Sequence, residues 1–448
     1  LDTDSYKFSH WKQYPQKTTN AFFYLESRGG RYRETVFFGL QYILKEYLSK
    51  PVTAEMVEEA KLFAEAHGEP FNYDGWMDVV TRLKGKIPVR IKAVKEGTVV
   101  PTNNVLMTVE STDQKAFWVA SFIETLLMRV WYPITVATQS WHIKQIIKGY
   151  LDRTSDDPNA EISFKLHDFG ARGVSSMESS GIGGMSHLVN FMGSDTVMGV
   201  AFANRYYDSK MAAFSIPAAE HSTITSWGRE NEVEAYRNML KQFASAGKLV
   251  AIVSDSYDLS NAVLNLWGKE LKQEVIDSGA TVIIRPDSGH PASIVLRTLK
   301  ELESKFGSSY NKKGYRVLNY VRVIQGDGIN EESIREILET ATKEGFSATN
   351  IAFGMGGALL QKVDRDTQKF AYKCSEVTID GKDVPVFKCP ADDKGKTSKK
   401  GRLDLVIKNG KYETVPGPTY GSVLETVFED GKILKTYTLD EVRATSSL

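Results

Sequence analysis

Cysteine is nearly absent: the 448-residue chain has two, Cys374 and Cys389. Two thiols cannot frame a fold of this size, so a disulfide-stapled secreted scaffold is excluded and reduced thiols in a cytoplasmic protein are expected. No apolar run approaches the roughly 18 residues of a spanning helix, so no membrane segment is expected. The opening residues carry no basic region followed by an apolar core and do not read as a secretory signal. Excess charge is also missing, with 56 Lys+Arg against 56 Asp+Glu. A nucleic-acid binder would show a basic surplus, so no nucleic-acid partner is expected. What remains is ordinary globular usage, 42% hydrophobic and 25% charged. At that length roughly two to four domains, or one large α/β domain with an appendage, are expected.

The first third is mixed. Residues 20–25 are apolar and aromatic, as in a strand. Residues 34–48 carry a helical stripe, and Thr53 with Glu55 opens a helix running to Gly68. Residues 87–94 and 104–110 alternate around turns, which predicts a small antiparallel unit. Helices are expected over 114–130 and 135–151, broken at Trp131-Tyr132-Pro133. In the middle, short apolar runs at 164–166, 214–216, 249–253, 281–284, 321–324 and 351–353 each end in a polar or Gly-rich cluster and lead into a helix-like stretch. That alternation predicts a buried parallel sheet. Chemistry spread over many strand ends favours a (β/α) barrel over an open doubly wound sheet, which gathers its ligands at one switch point. Alternation returns after residue 370, at 370–379, 384–387, 403–408 and 433–438.

Asp255, Asp287 and Asp327 end three successive runs. Carboxylates gathered on one face repel unless a cation neutralises them. Mg²⁺ suits this, because it takes oxygen ligands and bridges to substrate phosphates. The plainer alternative makes each Asp the N-cap of the next helix. With Arg285 and His221 on neighbouring loops, the three read together as a polar active site. Gly326-Asp327-Gly328 and Gly354-Met355-Gly356-Gly357 follow late strands, where barrel loops hold phosphate, although tight turns need Gly in any case. Arg365, Lys373, Lys388 and the basic loop with Lys396 are either a solvated face or a clamp for a di- or triphosphate. His221 is open between general base, metal ligand and nucleophile toward phosphate. Phe169 is either core or a surface for stacking a flat heterocycle.

Taken jointly, these clusters are specific. They include Thr3-Asp4-Ser5-Tyr6-Lys7, Lys165-Leu166-His167-Asp168-Phe169-Gly170, Pro217-Ala218-Ala219-Glu220-His221-Ser222-Thr223, Ser254-Asp255-Ser256-Tyr257-Asp258, Ile284-Arg285-Pro286-Asp287-Ser288-Gly289, Ile324-Gln325-Gly326-Asp327-Gly328 and Ser398-Lys399-Lys400-Gly401-Arg402-Leu403. Almost the whole chain thereby resembles the nicotinate and quinolinate phosphoribosyltransferase family, and within it the members that take nicotinamide. The resemblance implies an irregular (β/α) barrel with a β-rich domain formed from N- and C-terminal segments. Residues 1–150 would be the N-terminal part, 151–370 the catalytic barrel and 371–448 the C-terminal β segment. It implies a homodimer with active sites at the interface. The implied reaction joins nicotinamide and phosphoribosyl pyrophosphate into nicotinamide mononucleotide and pyrophosphate, with Mg²⁺ and with ATP as a stimulant.

Carried over by motif, Phe169 stacks on one face of the nicotinamide ring and Tyr6 of the partner subunit on the other. Asp195 accepts a hydrogen bond from the carboxamide and would repel nicotinate. Arg285 lies against the carboxamide and ribose. Asp287 holds ribose hydroxyls and, with Asp255, Mg²⁺ directly or through water. Gly326, Asp327, Gly356 and Gly357 bind the 5′-phosphate or ribose. Arg172, Arg28, Arg365, Lys373 and Lys396 bind phosphates and pyrophosphate. His221 matches the histidine that ATP phosphorylates, with Glu220 and Asp255 as its neighbours. Three departures stand out: Ala171 replaces an aromatic residue, the loop from Arg28 to Glu34 is short, and Met355 replaces a small polar residue. The rivals are nicotinate as substrate, a metal-dependent barrel hydrolase or aldolase, and a non-catalytic binding protein on an enzyme scaffold. The hydrolase lacks support, since no His-x-His or His-Glu-x-x-His spacing occurs.

Overall fold

The computed structural model describes residues 2–447. The chain forms two compact units, one from Leu1–Thr138, Ala203–Ser209 and Val363–Leu448, the other from Gln139–Phe202 and Lys210–Lys362.

The second unit holds six parallel strands: β1 (Leu166–Asp168), β2 (Gly193–Ser194), β3 (Leu249–Val253), β4 (Thr281–Arg285), β5 (Val321–Gln325) and β6 (Ile351–Met355). They pair in the order β2-β1-β6-β5-β4-β3. Both edge strands bridge to one further segment, Phe214 pairing beside Gly193 and Ala218 beside Ala251. That segment was expected to be a strand. It makes only these bridges, because Pro217 has no N–H to give a ladder.

Period-two alternation aims the residues of these strands. In β4, Val282 and Ile284 are fully buried, while Thr281, Ile283 and Arg285 line an internal cavity. The helix Glu331–Lys343 shows how the outer layer is built. Asn330 caps it by accepting from the Ser333 N–H at 2.9 Å, and Ile334, Ile337, Leu338 and Ala341 form its buried stripe. Each large member of such a stripe stabilises by about 1.5–3 kcal/mol.

The first unit holds a seven-stranded sheet. Its order is Lys382–Pro385, Phe370–Ile379, Thr18–Ser27, Val105–Ser111, Val89–Ala93, Glu425–Glu429, Lys432–Ile433, with every pairing antiparallel. N- and C-terminal strands therefore share one sheet. The mid-chain piece Ala203–Ser209 belongs here because the buried Glu96 gathers it in. Glu96 accepts from the Tyr207 hydroxyl at 2.6 Å and from the backbone N–H groups of Gly39 and Gln41 at 3.1 and 2.7 Å. Burial raises its carboxyl above the usual range.

Local details depart from the sequence pattern. Residues 34–36 are a strand, and the helical stripe starts only at Leu40. The helix expected over 114–130 is broken into three short pieces. The expected break at Trp131-Tyr132-Pro133 is instead the start of the helix Trp131–Thr154. Pro133 sits in its first turn, where a missing N–H costs nothing. Alternation at 433–438 gives only Lys432–Ile433, and the partner strand Glu425–Glu429 carries the pairing. Both cysteines are free. Among the described residues, no single helix is long and apolar enough to cross a membrane.

Candidate active site

A cavity of about 540 Å³ runs through the second unit. Phe169, Asp195 and Arg285 line it at the C-terminal ends of the strands. Lys165, Arg322 and Asn350 line it at the opposite ends. Burial lowers the Lys165 ammonium to about 8, against the opposing pull of Glu161.

Phe169 is set by both backbone and packing. Its N–H donates to the Met355 carbonyl at 2.9 Å, extending the β1–β6 pairing by one residue. Its ring edge lies against the bare backbones of Gly354 and Gly326. Asp168, just before it, is fully buried and accepts from the Gly170 N–H at 2.7 Å. Burial raises the Asp168 carboxyl to about 6. On the adjoining strand end, where its N–H donates to the Asp168 carbonyl at 2.9 Å, Asp195 accepts a 2.5 Å hydrogen bond from the Ser215 hydroxyl. His167 also lines this wall, and burial holds its imidazole below the usual value.

The acids follow an equally definite plan. Asp255 Oδ2 accepts from the Asp287 N–H at 2.9 Å and from the Ser288 hydroxyl at 2.5 Å. Its Oδ1 is buried without a hydrogen-bond partner, 3.8 Å from His221 Nε2. Asp287 Oδ2 lies 3.3 Å from the same nitrogen, and its Oδ1 is 3.7 Å from Arg285 Nε. His221 Nδ1 is 3.0 Å from Ser256 Oγ. Carboxylates only accept, so the proton of a neutral His221 belongs on Nε2, and the lone pair of Nδ1 faces the Ser256 hydroxyl.

The N-cap alternative fails for all three aspartates. After β3 the cap is Asp258, which accepts from the Asn261 N–H at 3.0 Å, and after β5 it is Asn330. The helix Pro291–Phe306 after β4 starts at His290 with no side-chain cap. Asp255, Asp287 and Asp327 therefore stand at the strand ends without a helix-capping duty. Glu220 differs from expectation. It accepts from the Ser222 hydroxyl, and the imidazole is flanked by Asp287 and Asp255 instead.

Among the described residues, no group of three or more His, Cys, Asp or Glu is placed to hold a metal alone. The unpartnered Oδ1 of Asp255 and the neighbouring Asp287 carboxylate still form an oxygen donor pair. That fits Mg²⁺, which usually takes one or two carboxylates and completes its shell from water and substrate phosphates.

This unit thus brings together Phe169, Asp195, Glu220, His221, Asp255, Arg285 and Asp287. The glycines 326, 356 and 357 lie at the ends of β5 and β6, with Asp327 and Arg172 exposed on adjoining loops. Tyr6, Arg28, Arg365, Lys373 and Lys396 belong to the first unit. There Tyr6 is exposed on the short helix Ser5–Lys12. Burial lowers Lys373, and the charges of Arg28, Lys388 and Arg365 add to the effect while Glu124 opposes it. These four cations therefore share one electrostatic field. Lys396 pairs with Asp393 at 3.2 Å, and the nearby Lys399 and Arg402 are engaged by Glu26 and by Glu110 and Glu376. Much of the basic run is thus internally neutralised.

Sequence reasoning missed Ser215, Ser256, Ser288 and His167. Two of these, Ser256 and Ser288, directly follow aspartates already singled out at strand ends. Hydroxyls beside each acid were the available signal.

An α/β unit whose strand ends carry an aromatic ring at a cavity, and beside it paired acids against a histidine, has the layout of an enzyme active site. A profile described as the nicotinate phosphoribosyltransferase (NAPRTase) family matches residues 164–432. One described as the nicotinamide phosphoribosyltransferase N-terminal domain matches residues 1–91. The chain is 59% identical over 454 residues to a nicotinamide phosphoribosyltransferase of Xanthomonas campestris pv. campestris, covering 99% of this chain and 97% of that one. It is 30% identical to one of Acinetobacter baylyi, covering 98% and 95%. Among solved structures, the fold matches nicotinate-nucleotide pyrophosphorylase from Pyrococcus furiosus with a TM-score of 0.63 at 17% identity, covering 99% and 93%. It also matches human nicotinic acid phosphoribosyltransferase with a TM-score of 0.60 at 15% identity, covering 100% and 93%. The chain belongs to the nicotinate phosphoribosyltransferase family.

Proposed function

We propose that this chain transfers the phosphoribosyl group of phosphoribosyl pyrophosphate to nicotinamide, a step of NAD salvage. The observation that carries the choice of substrate is Asp195, an anionic acceptor held by Ser215 at the mouth of the Phe169 cavity. A carboxamide N–H₂ can donate to it, and a carboxylate cannot. The close relative of Xanthomonas campestris, named for nicotinamide, supports the same reading.

The parallel sheet is an irregular barrel closed by residues 214–218, with the other unit as its β-rich companion. In the reaction, the pyridine nitrogen attacks the anomeric carbon as the bond to pyrophosphate breaks. Phe169 positions the ring, and Arg285 lies against the carboxamide and ribose. Asp287, at the end of β4, stabilises the positive charge that develops on the ribose. Mg²⁺, held by Asp255 and Asp287, would neutralise the departing diphosphate. Gly326, Asp327, Gly356 and Gly357 take the 5′-phosphate end. Arg172 of the same unit binds diphosphate together with the cation field of Arg28, Arg365 and Lys373, and with Lys396. Those cations and Tyr6 complete the site of a second copy in a homodimer. ATP phosphorylates His221: the γ-phosphoryl group passes to Nδ1 as ADP leaves, once the Ser256 hydroxyl turns away from that lone pair, while the acids hold the Nε2 proton and Glu220 shapes the turn that presents the ring. Reduced thiols fit a cytoplasmic location.

The test is formation of nicotinamide mononucleotide from nicotinamide, phosphoribosyl pyrophosphate and Mg²⁺, followed by chromatography. Product that depends on all three supports the proposal. Hydrolysis of phosphoribosyl pyrophosphate without mononucleotide would overturn it.

A further inference from the structure

We infer that Gly354 is a positioning residue that fixes the plane of the Phe169 ring, so that affinity for nicotinamide depends on a side chain being absent from β6. This rests on Phe169 stacking on the substrate, as proposed above.

Gly354 lies in β6, in ordinary strand conformation and without the positive φ that would favour glycine. Glycine in a strand interior weakens the strand and often marks a close approach. The approach here is the Phe169 ring. A Cβ on Gly354 would stand 1.9 Å from Phe169 Cε2, 2.1 Å from Cδ2 and 2.8 Å from Cζ. On the neighbouring strand end, a Cβ at Gly326 would meet the same ring edge at 3.5 Å, an ordinary contact. The ring therefore rests in a notch that only residue 354 must keep empty.

The Phe169 backbone is held by the Met355 carbonyl, so the ring cannot retreat with its main chain. Gly170 is also confined, since a Cβ there would lie 2.8 Å from Leu360 Cγ and 3.0 Å from the Gly356 carbonyl oxygen. A methyl group at position 354 must swing the ring about its own side-chain torsions, and the plane offered to a heterocycle turns with it. Stacking is orientation-dependent, so it is lost without any change at Asp195 or at the phosphate-binding loops.

The experiment is a double-mutant cycle of Gly354→Ala and Phe169→Ala, read as KM for nicotinamide and KM for phosphoribosyl pyrophosphate, with thermal melting in parallel. Gly354→Ala is expected to raise KM for nicotinamide by roughly two- to twelvefold and to leave KM for phosphoribosyl pyrophosphate unchanged. In the Phe169→Ala background it is expected to add almost nothing, and to restore any melting temperature lost in the single variant. An equal rise in both backgrounds would overturn the ring notch while leaving stacking intact. No effect of Phe169→Ala alone would refute stacking and this inference with it. A Gly354→Ala variant that misfolds and is not rescued by Phe169→Ala would also overturn it.

Discussion

Replacing Asp195 by Asn tests the origin of the choice between amide and acid. The carboxylate is fixed by its 2.5 Å bond to the Ser215 hydroxyl. A carboxamide N–H₂ donating to it would sit about 2.9 Å away, which puts the two charge centres about 4 Å apart when nicotinate replaces the amide. Two like charges at that distance repel by about 4 kcal/mol at the effective dielectric near a protein surface and by about 1 kcal/mol in water. Asp195 is exposed in the free protein and covered once a ring enters, so the discrimination falls between these limits. That corresponds to roughly 5- to 1000-fold in kcat/KM. Asp195→Asn removes the repulsion and keeps an acceptor for the amide. The ratio of kcat/KM for nicotinate to that for nicotinamide should therefore rise by a factor in this range, with most of the change on the nicotinate side. Competing-substrate assays with labelled nicotinate give the ratio directly, and raising the salt should raise it in the parent and so narrow the gap between parent and variant. An unchanged ratio in Asp195→Asn would refute electrostatic exclusion as the basis of selectivity.

Two further outcomes follow from the same geometry. The folded Asp168 carboxyl titrates at about 6, above its unfolded value, so the folded state binds this proton more tightly. Its contribution is complete below about pH 4 and is lost as pH rises through about 6, a change of roughly 3 kcal/mol. Asp168→Asn should therefore gain that amount relative to the parent between pH 4 and pH 7 in urea denaturation, and parallel pH curves would contradict the buried-carboxyl origin. His221→Asn should abolish both ATP stimulation and incorporation of acid-labile phosphate from ATP. Retained stimulation would remove His221 as the phosphorylated residue.

The fold was legible where periodicity was strong. The runs at 249–253, 281–284, 321–324 and 351–353 are all strands of the parallel sheet, because a strand buried on both faces needs continuous apolar residues. Pattern failed where tertiary bonds decided. The piece 203–209 joins the other unit through Tyr207 and Glu96, a contact between residues 111 positions apart that no local signal announces. Pro133 read as a breaker because composition does not say which turn of a helix a proline occupies. In the site, the aspartates were visible as strand-end residues, but only the hydrogen bonds of Asp258 and Asn330 released them from capping. The resemblance makes Glu220 and Asp255 the neighbours of His221; Asp255 is one, but the Glu220 side chain turns to Ser222 and Asp287 takes its place. The hydroxyls of Ser215, Ser256 and Ser288 went unread because serine is common at turns for reasons unrelated to chemistry.

The most direct measurement is a single-vessel competition between equimolar nicotinamide and nicotinate, with phosphoribosyl pyrophosphate and Mg²⁺, with and without ATP. The expected result is nicotinamide mononucleotide in large excess, formed faster when ATP is present. Predominance of nicotinate mononucleotide would contradict the assignment of Asp195 and of the substrate.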